Sequence, residues 1–283
     1  MLNNIRVITP NDITSAVARL CIESAVYVNN DIRRALSEAK THEASPLAIH
    51  ALDQLLENAK IAEREGLPIC QDTGMAVVFV KIGSHVIVDG DINEAINEGV
   101  RQGYREGYCR NSVVADPLER KNTNDNTPAV IHYELTAGTE LCITVTLKGF
   151  GSENMSGIRM LNPSDGLPAI TNYIVDTVRR AGSNPCPPII VGVGIGGTME
   201  KAALLAKQAL LREIGSSHPS AFWAEAEKNI LARINQLNIG AAGFGGAVTA
   251  LGVNILTYPT HIAGLPVAVN IGCHATRHRT AVL

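Results

Sequence analysis

The stretch Asn184-Pro185-Cys186-Pro187-Pro188-Ile189-Ile190-Val191-Gly192-Val193-Gly194-Ile195-Gly196-Gly197-Thr198-Met199-Glu200-Lys201-Ala202 decides the fold class. From Pro188 to Val193 it is apolar and β-branched, the composition of a buried strand. Glycines then break the run, and helical periodicity sets in from Thr198 to Glu213. A strand, a glycine turn and a helix in direct succession predict a mixed fold, α+β or α/β. Gly192, Gly194 and Gly197 also fit the G-x-G-x-x-G spacing of a dinucleotide-binding turn. That motif needs an acidic residue about 20 positions on, at the end of a second strand. The chain has Gly215-Ser216-Ser217-His218-Pro219 there, so the dinucleotide reading is set aside.

Working outward, residues 11–40 carry Ile13, Val17 and Leu20 at helical spacing. A second helix is expected over 47–65, stopped by Gly66-Leu67-Pro68. Met75 to Lys81 reads as a buried strand. A helix from Asp91 to Tyr108 opens on Asp91 as its cap. Residues 115–128 are polar and predict a long surface loop. Strands are expected at Ala129–Leu135 and Leu141–Leu147, and helices at Pro168–Ala181 and Ser220–Leu237. Val253–Leu256 and Val267–Ile271 are the last expected strands. Five glycines between Gly240 and Gly252 imply backbone packed close to something. No repeat or low-complexity segment is present, and one domain is expected over 1–283, helical up to about residue 66.

The chain of 283 residues is 46% hydrophobic and only 4% aromatic, so its core must rest on Ala, Val, Ile and Leu. A net charge of −3 gives no reason to expect a nucleic-acid partner. The start, Met1-Leu2-Asn3-Asn4-Ile5-Arg6, lacks the apolar core of a signal peptide. No apolar run approaches the roughly 18 residues a membrane helix needs. The expectation is a cytoplasmic protein with no membrane partner. Six cysteines in that compartment argue for metal or reactive thiols over disulfides.

Cys70, Cys186 and Cys273 each lie within a few residues of Gly or Pro, where the chain turns. Cys21 and Cys142 lie in periodic apolar sequence and read as core, while Cys109, between Gly107 and Arg110, is ambiguous. The gaps between the first three are far too long for a zinc knuckle or a ferredoxin run. On spacing alone each is as well explained as a small buried hydrophobe. Three thiolates can nonetheless hold an iron–sulfur cubane and leave one iron open as a Lewis acid. A hydro-lyase would also need a positioned base and a cation for the developing charge.

ICQDTG at 69–74, KGFGSENMS at 148–156, NPCPPIIVGVGIGGTMEKA at 184–202, THIAGLPVAV at 260–269 and CHATRH at 273–278 together resemble the class I iron–sulfur fumarate hydratase family. The resemblance runs over about residues 10–280 and is closest to the separate α subunit of the two-subunit enzymes, a group that includes L(+)-tartrate dehydratase. It implies an iron–sulfur hydro-lyase α-type domain, with cluster-binding sequence over about 67–283. It implies a [4Fe-4S] cluster on Cys70, Cys186 and Cys273. Gln71 and Asp72 would line the site, Arg110 would pair with a substrate carboxylate, and Gly149 and Gly151 would bring backbone to substrate. His261 matches a site histidine of the family. The glycines after Cys186 would let strand and helix pack closely.

Single-chain members of the family continue past the third cysteine motif into a second domain. The expectation is a β subunit that carries this missing C-terminal half, in an α2β2 assembly, with this chain nearly inactive alone. Asp72 is the candidate proton carrier, with His261, although the principal C3 base can lie on the partner. The substrate is expected to be a small dicarboxylic acid. Ser152-Glu153-Asn154 favours fumarate and L-malate over L(+)-tartrate giving oxaloacetate. Lys148 is a substrate contact or a solvated lysine. The remote alternative is a non-catalytic globular or nucleotide-binding protein with all six cysteines in the core.

Overall fold

The computed structural model of the chain describes residues 5–283. Met1 to Asn4, read above for a signal peptide, lie outside them. In chain order the elements are β1 (Arg6–Ile8), α1 (Pro10–Val26), α2 (Asn30–His42), α3 (Pro46–Glu65), β2 (Met75–Gly83), β3 (Val86–Val88), α4 (Ile92–Glu106), β4 (Val130–Thr136), β5 (Leu141–Lys148), α5 (Phe150–Glu153), β6 (Gly157–Leu161), α6 (Gly166–Ala181), β7 (Ile189–Gly196), α7 (Met199–Ala209), α8 (Ala221–Asn235), β8 (Ala250–Tyr258), β9 (Leu265–Gly272) and β10 (His278–Val282). The mixed α+β expectation holds. The chain divides into two compact units whose segments interleave along the sequence. The first takes the chain up to Val28, Asn58–Gly149 and Arg277–Leu283; the second takes Asn29–Glu57 and Phe150–Thr276. Among the described residues no helix is long and apolar enough to cross a membrane.

The first unit is built on a four-stranded sheet in the order β10-β5-β2-β4. β2 runs parallel to β4 and antiparallel to β5, and β10 is antiparallel to β5. β2 is central, and Ala76 to Val80 are buried without alternation, as a strand covered on both faces requires. α1 starts at a capping box in which Thr9 and Asp12 bond each other's backbone, with Pro10 at the first turn. α4 starts where Asp91 accepts from the N–H groups of Asn93 and Glu94, as its sequence predicts. Ile13, Val17 and Leu20 of α1 join Ile96 and Val100 of α4 over Leu141, Ile143 and Val145 of β5. Burying each such side chain contributes about 1.5–3 kcal/mol.

The expected helix over 11–40 is two helices, because Tyr27 is extended and caps α1. The first unit's segment ends at Val28, and α2 belongs to the second unit. β10 was not foreseen: its alternate residues face outward, so His278-Arg279-Thr280 reads as polar loop.

The second unit is built on a sheet in the order β6-β9-β7-β8. β7 pairs parallel with β8 and antiparallel with β9, and all eight of its residues are buried. A Cβ on Gly192 would fall 2.2 Å from the Ala206 carbonyl oxygen, and one on Gly194 would fall 2.0 Å from that of Ala202. These glycines let α7 lie directly on β7, a packing role that needs no nucleotide. α7 ends at Ala209, earlier than its periodicity predicts. The Asn254 amide donates to the carbonyls of Ala209 and Arg212, at 3.2 and 3.0 Å, and closes the helix there. The core gathers Ile174 and Val178 of α6, Val191 and Val193 of β7, Ile230 and Ile234 of α8 and Val269 of β9.

Candidate functional site

In the first unit the site begins where α3 stops. Ile69 is pinned at both ends of its peptide: its N–H donates to the Ala25 carbonyl at 3.0 Å, and its carbonyl accepts from the Asn58 amide at 2.8 Å. Cys70 follows, partly exposed, its thiol donating to Gln71 Oε1 at 3.4 Å. Asp72 Oδ1 accepts the Gly74 N–H at 3.0 Å, a turn-forming bond of the kind Asp favours. Asp72 Oδ2 points toward Gly149, where a Cβ would come within 3.1 Å of it. A side chain at 149 would require that carboxylate to give way by a few tenths of an ångström.

The Gln71-Asp72-Thr73-Gly74 turn is held from several sides. The buried Tyr104 hydroxyl donates to the carbonyls of Thr73 and Gly74, at 3.3 and 3.0 Å. Burial pushes the Tyr104 phenol well above its ordinary value, against the opposing pull of Arg277. Thr73 Oγ1 accepts the Arg110 N–H at 2.9 Å, which fixes Arg110 beside the turn while its side chain stays exposed. Arg277, 2% exposed, donates from Nη2 to the Asp72 carbonyl at 2.8 Å. Asn126, also buried, accepts from the N–H groups of Ser112 and Val113 and donates to the Gly74 carbonyl. The polar 115–128 segment is therefore irregular, as expected, but its end at Asn126 is anchored on the site. Lys148 is 5% exposed and donates to the Gly149 carbonyl at 3.2 Å, so it is not a solvated lysine.

In the second unit Cys186 is exposed and sits in a turn with φ 54°, between Pro185 and Pro187. Its carbonyl accepts the His274 N–H at 3.5 Å and lies 2.9 Å from His274 Nδ1. This brings the Cys186 turn and the Cys273-His274 turn together. Cys273 is partly exposed, and its carbonyl accepts from both the N–H and the hydroxyl of Thr276. Gly151 lies in α5, whose last residue, Glu153, accepts from Lys207 Nζ at 2.6 Å and from the Asn270 amide at 3.0 Å. His261 lies exposed on the β8–β9 loop, its Nδ1 accepting the Ala263 N–H at 3.2 Å.

The predicted residues thus divide between the units. Cys70, Gln71, Asp72, Arg110 and Gly149 belong to the first, and Gly151, Cys186, His261 and Cys273 to the second. Among the described residues no three His, Cys, Asp or Glu side chains are gathered as a metal site would gather them. The donor chemistry of the thiols still sorts them. None of the six cysteines is in a disulfide. Burial raises the Cys21 thiol strongly and pushes Cys109 up to about 11, the behaviour of core thiols that resist becoming thiolates. Cys142, expected in the core, is only partly buried, because alternate residues of β5 face outward. Cys70, Cys186 and Cys273 all sit on turns outside the apolar cores, and none is tied up in a disulfide. Each of the three offers a thiol, a donor suited to iron–sulfur ligation, Cys70 in the first unit and Cys186 and Cys273 in the second. Sequence reading missed Tyr104, Asn126, Arg277 and the Glu153–Lys207 pair. Tyr104 and Asn126 are buried and bond residues distant in sequence, which no local pattern marks, while Arg277 and Glu153 lie inside the CHATRH and KGFGSENMS motifs, whose reading does not reveal their partners.

A family model described as Fumarate hydratase (Fumerase) matches residues 14–282. A Methanocaldococcus jannaschii protein, provisionally named L(+)-tartrate dehydratase subunit alpha, is 44% identical over 272 residues, 94% of this chain and 95% of the relative. The L(+)-tartrate dehydratase subunit alpha of Escherichia coli strain K12 is 30% identical over 276 residues, 96% of this chain and 91% of the relative.

Proposed function

The chain belongs to the fumarate hydratase family, as a hydro-lyase of the separate α-subunit type, and from that membership we propose that it is the α subunit of a [4Fe-4S] L(+)-tartrate dehydratase. The reaction removes water from L(+)-tartrate and gives oxaloacetate. Ser152-Glu153-Asn154 pointed instead to fumarate and L-malate, but Glu153 is occupied by Lys207 and Asn270. Its carboxylate is spent on holding its own unit together and carries no information about substrate. The names of full-length relatives then weigh more, and they favour tartrate.

The observation that carries the chemistry is the Asp72 carboxylate held against Gly149, two residues from Cys70 and on the turn that also fixes Arg110. Cys70, Cys186 and Cys273 are the thiolates we take to hold the cluster, on the donor chemistry above. The cluster, when bound, supplies a Lewis-acidic iron that makes a substrate hydroxyl a better leaving group. Arg110 presents an exposed guanidinium, suited to bidentate pairing with one carboxylate of the substrate. Asp72 carries a proton, and the exposed Gln71 amide hydrogen-bonds substrate. His261 has Nδ1 committed to the Ala263 N–H, which leaves Nε2 to meet substrate. The Gly149 and Gly151 backbone approaches the substrate where no side chain intervenes. The relatives are α subunits by name, so we also take this chain to act with a β subunit, in an α2β2 assembly in the cytoplasm.

The test is a substrate profile of the complex purified anaerobically with its β subunit. We expect kcat/KM for L(+)-tartrate to exceed that for L-malate or fumarate by about tenfold or more. A complex that prefers malate or fumarate would overturn the tartrate assignment and leave the hydro-lyase in place.

A further inference from the structure

We propose that Arg277 is a positioning residue that acts through Asp72, an inference that rests on the reading of Asp72 as the proton carrier. Arg277 shares the CHATRH motif with Cys273, yet it belongs to the first unit, where it opens the path into β10. It is 2% exposed. A guanidinium buried so far is costly to keep unless hydrogen bonds take up its donors. One of those donors, Nη2, is placed 2.8 Å from the Asp72 carbonyl.

The clamp is itself anchored. The Arg277 carbonyl accepts the Thr146 hydroxyl at 3.0 Å, and the next residue, His278, pairs with Thr146 in the β10–β5 ladder. β5 ends at Lys148, and Gly149 follows directly. Both faces of Asp72 are therefore referred to the same strand. Its carbonyl is held by Arg277, which hangs on Thr146, and its carboxylate, whose Oδ1 accepts the Gly74 N–H, lies beside Gly149, three residues further along. Moving Arg277 rotates the Asp72 peptide and swings the carboxylate away from Gly149. Tyr104 holds the two following carbonyls, at Thr73 and Gly74, but does not bond the Asp72 peptide in this way. A lysine at 277 keeps the charge but loses the planar fork that fixes direction.

The experiment uses the assembled, cluster-loaded complex and reads kcat, KM and iron content for Arg277→Lys, Asp72→Asn and the double variant. Arg277→Lys should lower kcat about 10- to 100-fold, the scale of a misplaced reacting group, with KM within about twofold and iron unchanged. In the Asp72→Asn background the same change should cost less than about twofold more, because its route of action is already gone. A merely structural loss would multiply in both backgrounds. Thr146→Val, which removes only the anchor of the clamp, should show the same pattern more weakly, and it covers the case in which Arg277→Lys fails to fold. Wild-type kcat in Arg277→Lys, or losses that multiply in the double variant, would overturn the positioning role alone. Undiminished turnover in Asp72→Asn would overturn the reading of Asp72, and the positioning role with it.

Discussion

Asp72 and Gly149 are in such close approach that a Cβ at position 149 would stand 3.1 Å from Asp72 Oδ2 and 3.4 Å from its Cγ. The approach joins two motifs that are far apart in sequence, ICQDTG and KGFGSENMS, beside a carboxylate whose other oxygen accepts the Gly74 N–H. Gly149→Ala must therefore displace the carboxylate by a few tenths of an ångström rather than disturb a core. We expect turnover of the assembled complex to fall roughly tenfold, since small misplacements of a reacting group are costly in rate. The melting temperature should change little, because the position lies outside the buried cores. Steady-state kinetics beside a thermal melt checks this, and unchanged turnover would show that the placement of Asp72 is not important.

A second expectation concerns acid stability. Glu43 is 9% exposed and links the α2–α3 turn to the glycine-rich 240–248 segment of the second unit. Burial raises its pKa, but the N–H groups of Ser45, Ala44, Ala247 and Val248 outweigh burial and leave the carboxyl below its ordinary 4.5. A Cβ on Gly246 would fall 2.5 Å from Glu43 Oε2, so the backbone there is close-packed around the carboxylate, as the glycine density predicts. The folded-state pKa is the depressed one, so the ionised form stabilises the fold. That contribution is whole above the unfolded value near 4.5 and is lost as pH falls through the lower folded value. Glu43→Gln should be less stable at neutral pH and should show a shallower loss of stability below about pH 4.5. Urea denaturation of both proteins at a series of pH values measures it. Parallel pH profiles would show that Glu43 contributes nothing to acid sensitivity.

Much of the fold was legible because its signals are local. Asp91 caps its helix, Met75–Lys81 falls in β2, all of the expected strand Pro188–Val193 but Pro188 falls in β7, and the glycines at 192 and 194 take their reason from α7. What was not legible depends on pairing between distant segments. The break at Tyr27 lies beside the boundary between the two units after Val28, which the helical spacing of Ile13, Val17 and Leu20 does not reveal. β10 exists because β5 offers it an edge, and its return assigns Arg277 to one unit and Cys273, four residues earlier, to the other.

The site shows the same division. Its motifs announce themselves as sequence, and Asp72, Arg110 and Gly149 are brought together in the first unit. The groups that hold them, Tyr104, Asn126 and Arg277, are ordinary residues until the chain is folded. The Ser152-Glu153-Asn154 signal loses weight for the opposite reason. A motif residue with a carboxylate looks like a substrate contact, yet Glu153 turns inward to Lys207.

The central claim, that this chain is a cluster-bearing hydro-lyase subunit, is tested most directly by iron and acid-labile sulfide after anaerobic reconstitution. The wild-type chain would be measured beside Cys70→Ser, Cys186→Ser, Cys273→Ser and Cys142→Ser. The wild-type chain should take up about four irons and four sulfides, as a cubane requires. Each of the first three variants should lose the intact cluster, and Cys142→Ser should keep it. A wild-type chain that takes up neither iron nor sulfide, or a cluster that survives loss of any of the three thiols, would contradict it.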